Sequence, residues 1–259
     1  MRDLRTTIVQ TSLHWEDATA NRQHFAGLLA PLKGTTDLVV LPEMFSTGFT
    51  MRSRELAETM DGPTVKWMQE QACAIDAAIY GSVIVREGAA VYNRGLFVEP
   101  DAIVHHYDKR HLFRMADEHH HYAAGERRVV VEFRGWRILL QVCYDLRFPV
   151  FGRNRNDYDL ALYVANWPEP RRHAWSTLLK ARAIENLACV VGVNRVGPDG
   201  KGLPYSGDSV VLGPRGEELA AVPPGEEAVV HATLDGAALM AFREKFPAHL
   251  DADAFVLEN

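Results

Sequence analysis

Three reactive side chains each stand just past a short apolar run. Glu43 follows Asp37–Leu41 and Pro42, Lys109 follows Ile103–Tyr107, and Cys143 follows Ile138–Val142. They are 66 and 34 residues apart in the chain, so only the tertiary fold can gather them. As a group they would suit acyl transfer. A free thiol is only a few per cent ionised near neutrality. A carboxylate within hydrogen-bond reach can take its proton during attack and pass it to a leaving amine. An ammonium beside them can hold the oxyanion of a tetrahedral intermediate, with the backbone N–H of Tyr144 as a second donor. Losing one such donor typically costs about 3–4 kcal/mol. Taken alone, a cysteine at a strand end is more often a small buried hydrophobe, so the nucleophile reading leans on its two companions.

Apolar periodicity supplies the elements that would deliver these residues. Arg5–Gln10 reads as a first strand, and Phe25, Leu28, Leu29 and Leu32 mark one face of a helix. Asp37–Leu41 is a short buried strand. Pro63 suits the first turn of a second helix, whose buried face is Val65, Met68, Ala72 and Ile75, with Cys73 expected to be structural. Ala77–Val85 and Ala90–Val98 form a hairpin about Glu87-Gly88, and Val129–Phe133 and Trp136–Val142 a second about Arg134-Gly135. Leu160–Ala165 is a buried strand that stops at Asn166-Trp167-Pro168. A long helix through Trp175, Leu179 and Ala183 leads to a strand at Cys189–Val193, where Cys189 is expected in the core. Ser209–Leu212 and Ala228–His231 continue the β pattern before a short helix and an irregular tail. Hairpins interspersed with helical crossovers predict one α/β domain over residues 1–259 with mixed sheets.

Size and charge narrow the function. A chain of 259 residues, 47% hydrophobic, can bury roughly 75% of its unfolded surface without help from a metal or disulfide. The net charge is −6 and no basic stripe interleaves with aromatics, which argues against nucleic acid as a partner. No apolar run reaches 18 residues, which argues against a membrane span. Met1–Thr7 lacks the apolar stretch of a signal peptide, and Cys73, Cys143 and Cys189 are few and widely spaced. Both features predict a cytoplasmic protein with free thiols.

Leu41-Pro42-Glu43, Tyr107-Asp108-Lys109-Arg110-His111-Leu112-Phe113 and Cys143-Tyr144-Asp145-Leu146-Arg147-Phe148-Pro149 resemble, in this order, the three signature blocks of the nitrilase (carbon–nitrogen hydrolase) superfamily. The resemblance runs from about residue 5 to about residue 235. It implies an α-β-β-α sandwich, two mixed sheets face to face between outer helix layers. It also implies a triad of Glu43 as general base then acid, Lys109 at the oxyanion and Cys143 as nucleophile, with no cofactor or metal. A second glutamate is common between the lysine and the cysteine. Glu118 matches it, with Glu126 as competitor, and its implied role is to orient Lys109 and the substrate amide.

Finer details are similar to the amidase branches of the superfamily. Glu43–Phe49, Asn166-Trp167-Pro168 and Lys245–Phe255 resemble bacterial omega-amidases, which release ammonia from the terminal amide of α-keto acids such as 2-oxoglutaramate. N-carbamoyl compounds and other small aliphatic amides are the alternative substrates. Phe45 and Trp167 fall where the family lines its pocket. Arg147 reads either as a ligand for a substrate carboxylate or as a structural ion-pair partner. Arg171 and Arg172 follow the Trp167 loop as solvated cations within reach of the same region. Oligomers are usual in the superfamily, so a homodimer is expected. Its candidate contacts are Arg147–Asn156 and the tail from about residue 236, where Phe246, Phe255 and Leu257 serve as anchors or pack within the chain.

Competing chemistries fit less well. His119-His120-His121 invites a metal, but consecutive residues rarely bring three imidazoles onto one ion, and no HExxH or CxxC accompanies them. No G-x-S-x-G elbow follows a strand, and the local motif of a papain-like cysteine is missing. A non-catalytic binding protein would have no need to fill all three triad positions.

Overall fold

Strand alternation sorts the apolar residues of the first half into two separate cores. In the computed structural model, which describes residues 1–257, the chain begins with β1 (Leu4–Gln10), α1 (Ala18–Leu29), β2 (Leu38–Val40) and α2 (Ser53–Leu56). It continues with α3 (Pro63–Ile75), β3 (Ala78–Glu87), β4 (Ala90–Val98), β5 (Val104–Asp108) and α4 (Glu118–His121). Next come β6 (Val130–Phe133), β7 (Trp136–Val142), α5 (Pro149–Gly152), β8 (Leu160–Ala165), α6 (Arg172–Asn186) and β9 (Cys189–Asn194). A small hairpin of β10 (Val196–Pro198) and β11 (Pro204–Ser206) precedes β12 (Val210–Leu212), β13 (Glu218–Ala221), β14 (Ala228–Leu234) and α7 (Gly236–Lys245).

Two six-stranded sheets result, ordered β14-β1-β2-β3-β4-β5 and β13-β12-β9-β8-β7-β6. Parallel neighbours need a long crossover, and α1 and α3 supply it for β1–β2 and β2–β3, as α6 does for β8–β9. On β2, Leu38 and Val40 point into a core shared with the second sheet, beside Ile8, Tyr80 and Leu140. Val39 and Leu41 point the other way, onto Phe25 and Leu29 of α1 and Val65 and Met68 of α3. Period-two side chains thus feed both faces of one sheet. The second sheet is covered in turn by Trp175, Leu179 and Ala183 of α6 and Leu239 of α7. The order helix, sheet, sheet, helix is the expected α-β-β-α sandwich.

Polar bonds pin the sheets to each other at both ends. Tyr80 Oη of β3 donates to the Gln141 carbonyl of β7 at 3.0 Å, just before Cys143. At the far end, Asp37 accepts from Arg5 N at 2.9 Å and from Arg5 Nη2 at 3.0 Å, and it also pairs with Arg134 in the β6–β7 turn.

One expectation is corrected, and for the tail one of the two readings left open is favoured. Cys73 is exposed on the outer side of α3, one residue past the buried Ala72, so it has no part in the core. In the tail, the Arg155 guanidinium lies 4.5 Å from the Phe255 ring centroid and Leu257 packs on the main core, so both fold back on their own chain. Phe246 stays 55% exposed. Cys189 lies in the core as expected.

Candidate active site

The strand ends converge where the sequence places its reactive residues. Cys143 closes β7 with a φ of 46° and begins a 3-10 turn, Cys143–Arg147. A left-handed conformation in a non-glycine residue costs of order 1–3 kcal/mol and needs support from its surroundings. Asp145, fully buried, provides it. Its Oδ2 accepts from Val142 N at 3.0 Å and from Tyr107 Oη at 2.8 Å, while Oδ1 accepts from His111 N at 3.0 Å and meets His111 Nδ1 at 2.8 Å. One carboxylate therefore ties the turn at Cys143 to the segment that carries Lys109. His111 also stacks on Phe148, with ring centroids 3.9 Å apart.

Lys109 is the hub of a buried ionic cluster. Its Nζ donates to Glu43 Oε1 at 2.9 Å and to both oxygens of Glu118 at 3.0 Å, and none of the three side chains reaches solvent. Asn93 Nδ2, from β4, donates to Glu43 Oε1 at 2.7 Å and to Glu118 Oε1 at 3.3 Å. Asn166 N, just past β8, donates to Glu43 Oε2 at 2.7 Å, and Phe113 N donates to Glu118 Oε2 at 2.6 Å. Buried carboxylates are tolerated only when hydrogen-bonded and paired in this way.

These surroundings set the protonation states. Burial works against the charge on Lys109, but Glu118 and Glu43 outweigh it and hold the ammonium well above its ordinary pKa. Burial raises Glu118, with Lys109 pulling it back and Glu43 adding to the rise. Burial and then the Glu43 carboxylate push the Cys143 thiol well up, opposed by Lys109. This direction favours the thiol over the thiolate, and attack by the thiol calls for a base that takes its proton.

Cys143 and Lys109 open into a cavity of about 300 Å³. Its walls include Phe49, Phe113, Trp167 and Leu203, with Arg147 and Arg171 at the rim. Glu43, Lys109, Glu118, Cys143 and Tyr144 thus stand close together, and Tyr144 lies in the first turn of the 3-10 segment, where N–H groups lack helical partners. Glu126 is exposed and takes no part. Trp167 and Arg147 line the cavity; Arg147 has no ion-pair partner among the described residues, and its guanidinium rests 5.0 Å from the Trp167 ring centroid. Arg172 pairs with Asp208 outside the cavity.

Phe45 is a correction. It is wholly buried in the helix–sheet core, between Phe25 at 5.4 Å and Trp67 at 5.7 Å. Met44 before it has a φ of 42°, a reversal that turns Glu43 toward Lys109 and Phe45 toward α1. The aromatic wall comes from Phe49, whose ring centroid is 5.2 Å from Lys109 Nζ. Sequence reasoning also missed Asn93 and Asn166. A polar residue inside the apolar run Ala90–Val98 was the available signal for the first. Of the three consecutive histidines, His119 and His120 cluster with Asp117, their donor atoms within 4.8 Å of one another.

Comparison with known proteins agrees with this geometry. A family model described as carbon-nitrogen hydrolase matches residues 5–244. The chain is 54% identical to a protein of Escherichia coli (strain K12) named omega-amidase YafV, over 99% of this chain and 100% of that one. It is 34% identical to 2-oxoglutaramate amidase of Bacillus subtilis (strain 168), over 82% of this chain and 83% of the relative. Among solved structures, XC1258 from Xanthomonas campestris superposes with a TM-score of 0.98 at 52% identity, over 100% of both chains. That protein is described as a CN-hydrolase superfamily member with an arsenic adduct in its active site. A family match spanning most of the chain, with a relative 54% identical along its whole length, shows that the chain belongs to the carbon–nitrogen hydrolase family.

Proposed function

We propose that the chain is an omega-amidase, hydrolysing the terminal amide of small α-keto acid amides such as 2-oxoglutaramate through a thioester on Cys143. The observation that carries this reading is the buried Glu43–Lys109–Glu118 cluster beside Cys143, at the floor of a cavity with cations on its rim. The names of the Escherichia coli and Bacillus subtilis relatives support the choice of substrate.

In this scheme Glu43 takes the thiol proton as Sγ bonds to the amide carbon. The carbonyl oxygen becomes an oxyanion held by Lys109 Nζ and the Tyr144 N–H. Glu43 then gives the proton to the amide nitrogen, the C–N bond breaks, ammonia leaves and the thioester remains. Water attacks next and loses a proton to Glu43. The C–S bond breaks, and the proton returns to sulfur as the acid departs. Glu118 changes no bonds; it fixes Lys109. Arg147, propped on Trp167, meets the distal carboxylate of the substrate.

The reading extends to the whole protein as one domain acting as a homodimer in a reducing compartment. The three cysteines are free, and Val150 and Leu250, with Phe246, expose apolar surface near α5 and the tail for such a contact. No helix among the described residues is long and apolar enough to cross a membrane. Ammonia release from 2-oxoglutaramate tests the activity, and light scattering tests the dimer, which a monomeric mass at working concentration contradicts.

A further inference from the structure

The hairpin β10–β11 lies outside both large sheets, yet its turn forms one wall of the cavity through Asp199, Lys201 and Leu203. That wall is built to hold still. Asp199 Oδ1 accepts from Lys201 N at 2.8 Å and from Leu203 N at 3.0 Å, while Tyr205 Oη donates to Oδ2 at 3.2 Å. Arg195, fully buried, lies 4.9 Å from the Tyr205 ring centroid and donates from Nη2 to the Pro198 carbonyl at 2.7 Å, bracing the hairpin at its base. Gly200 sits on Trp15 so closely that a Cβ there would meet the indole at 2.3 Å. The same indole supports Gly48, where a Cβ would lie 3.0 Å away. Trp15 thus seats two walls at once, the turn with Lys201 and the loop with Phe49.

Charge around this wall is one-sided. Arg147, Arg171 and Lys201 border the cavity, and none has an ion-pair partner among the described residues. Asp199 is the acid that shares their rim, and its two oxygens are engaged by its own turn. Arg171 is held against Phe113, 5.2 Å from the ring centroid, and Arg147 against Trp167, whereas the Lys201 ammonium has no side-chain partner among the described residues. An uncompensated cation at a cavity mouth favours an anionic ligand and does nothing for a neutral one of equal shape.

We propose that Lys201 is a specificity-determining residue beside Arg147: delivered by a turn seated on Trp15, its ammonium joins the Arg147 guanidinium at the anionic end of the substrate and selects amides that carry a carboxylate. The assignment rests on the amidase reading of Cys143. Lys201 takes no part in the bond changes, so its effect falls on KM more than on kcat.

Succinamate and 4-methylpentanamide, nearly equal in shape, with an isopropyl group in the second where the first has its carboxylate, make the test. Their kcat/KM values are measured for wild type, Lys201→Met, Lys201→Arg and Gly200→Ala. Removing one charged hydrogen-bond partner at an accessible rim corresponds to roughly a tenfold to hundredfold effect. The wild-type preference for succinamate is therefore expected to fall by about that factor in Lys201→Met, mainly through KM, and to return in Lys201→Arg. Gly200→Ala, which displaces the turn while keeping the charge, should lose part of the preference. A ratio in Lys201→Met within twofold of wild type, or Lys201→Arg as poor as Lys201→Met, overturns the assignment and leaves the amidase reading intact. A wild type that hydrolyses neither amide, nor 2-oxoglutaramate, overturns the amidase reading and this assignment with it.

Discussion

Both carboxylate oxygens of Glu118 lie 3.0 Å from Lys109 Nζ, and neither side chain has any contact with solvent. This grip fixes the ammonium that the scheme aims at the oxyanion. Glu118→Gln keeps the shape and removes the charge, leaving Lys109 with Glu43 alone. Loss of a preorganised oxyanion donor lowers kcat by roughly 10²–10³, and steady-state kinetics should show a fall of that order with KM changed much less. A thermal melt run alongside separates this effect from unfolding, because removing one partner of a buried ion pair destabilises by about 3–5 kcal/mol. A variant that folds and keeps wild-type kcat contradicts the role given to Glu118.

Asp145 holds the turn at Cys143 and the His111 segment with one carboxylate. Asp145→Asn places an N–H₂ where Val142, Tyr107 and His111 all present donors, so at least one bond turns repulsive. We expect kcat to fall at least tenfold, with a loss of about 1–3 kcal/mol in urea unfolding from the unsatisfied buried donor. His111→Ala removes one of the four bonds and the stack on Phe148, and it should be milder on both readouts. The result against this account is an Asp145→Asn enzyme that loses stability but no activity.

Asp37 gives a pH-dependent prediction. Burial raises its pKa, but the Arg5 guanidinium and backbone N–H, with Arg134 nearby, overcome that and pull it down to about 2. A carboxyl depressed on folding contributes stability that is fully present above its unfolded pKa of about 4 and is lost as pH falls toward 2. The full shift corresponds to about 2 kcal/mol, reduced to about 1–2 kcal/mol because Arg2 and Arg5 are half exposed and screened. Asp37→Asn should therefore be less stable than wild type at pH 7 by this amount, and the gap should narrow on going to pH 3. Urea denaturation at both pH values measures it; a gap that widens in acid contradicts the assignment.

The neighbourhood of Glu43, Lys109 and Cys143 was legible because each follows a short apolar run in a chain of alternating helices and strands, and because the three blocks resemble the family's signature in order. The buried strands were legible too, since Leu38, Val39, Val40 and Leu41 are apolar without a break, as a strand buried on both faces must be, whereas the α-β-β-α layering came from the family resemblance. Phe45 was misplaced because two residues of sequence separation from Glu43 hide the reversal at Met44, and a left-handed backbone carries no signature in a methionine. The cavity wall at Asp199–Leu203 was invisible because its position depends on Trp15, some 185 residues away, and on a glycine flat enough to lie on it. Cys73 fell beside a well-marked helical stripe, and one step of about 100° turned it to solvent.

Ammonia release from 2-oxoglutaramate by wild type and by Cys143→Ala tests the central claim most directly. The account predicts steady release by wild type and none above background by the variant, with both proteins folded by circular dichroism. Release that survives in Cys143→Ala contradicts the thioester mechanism, and a folded wild type that releases none contradicts the omega-amidase reading.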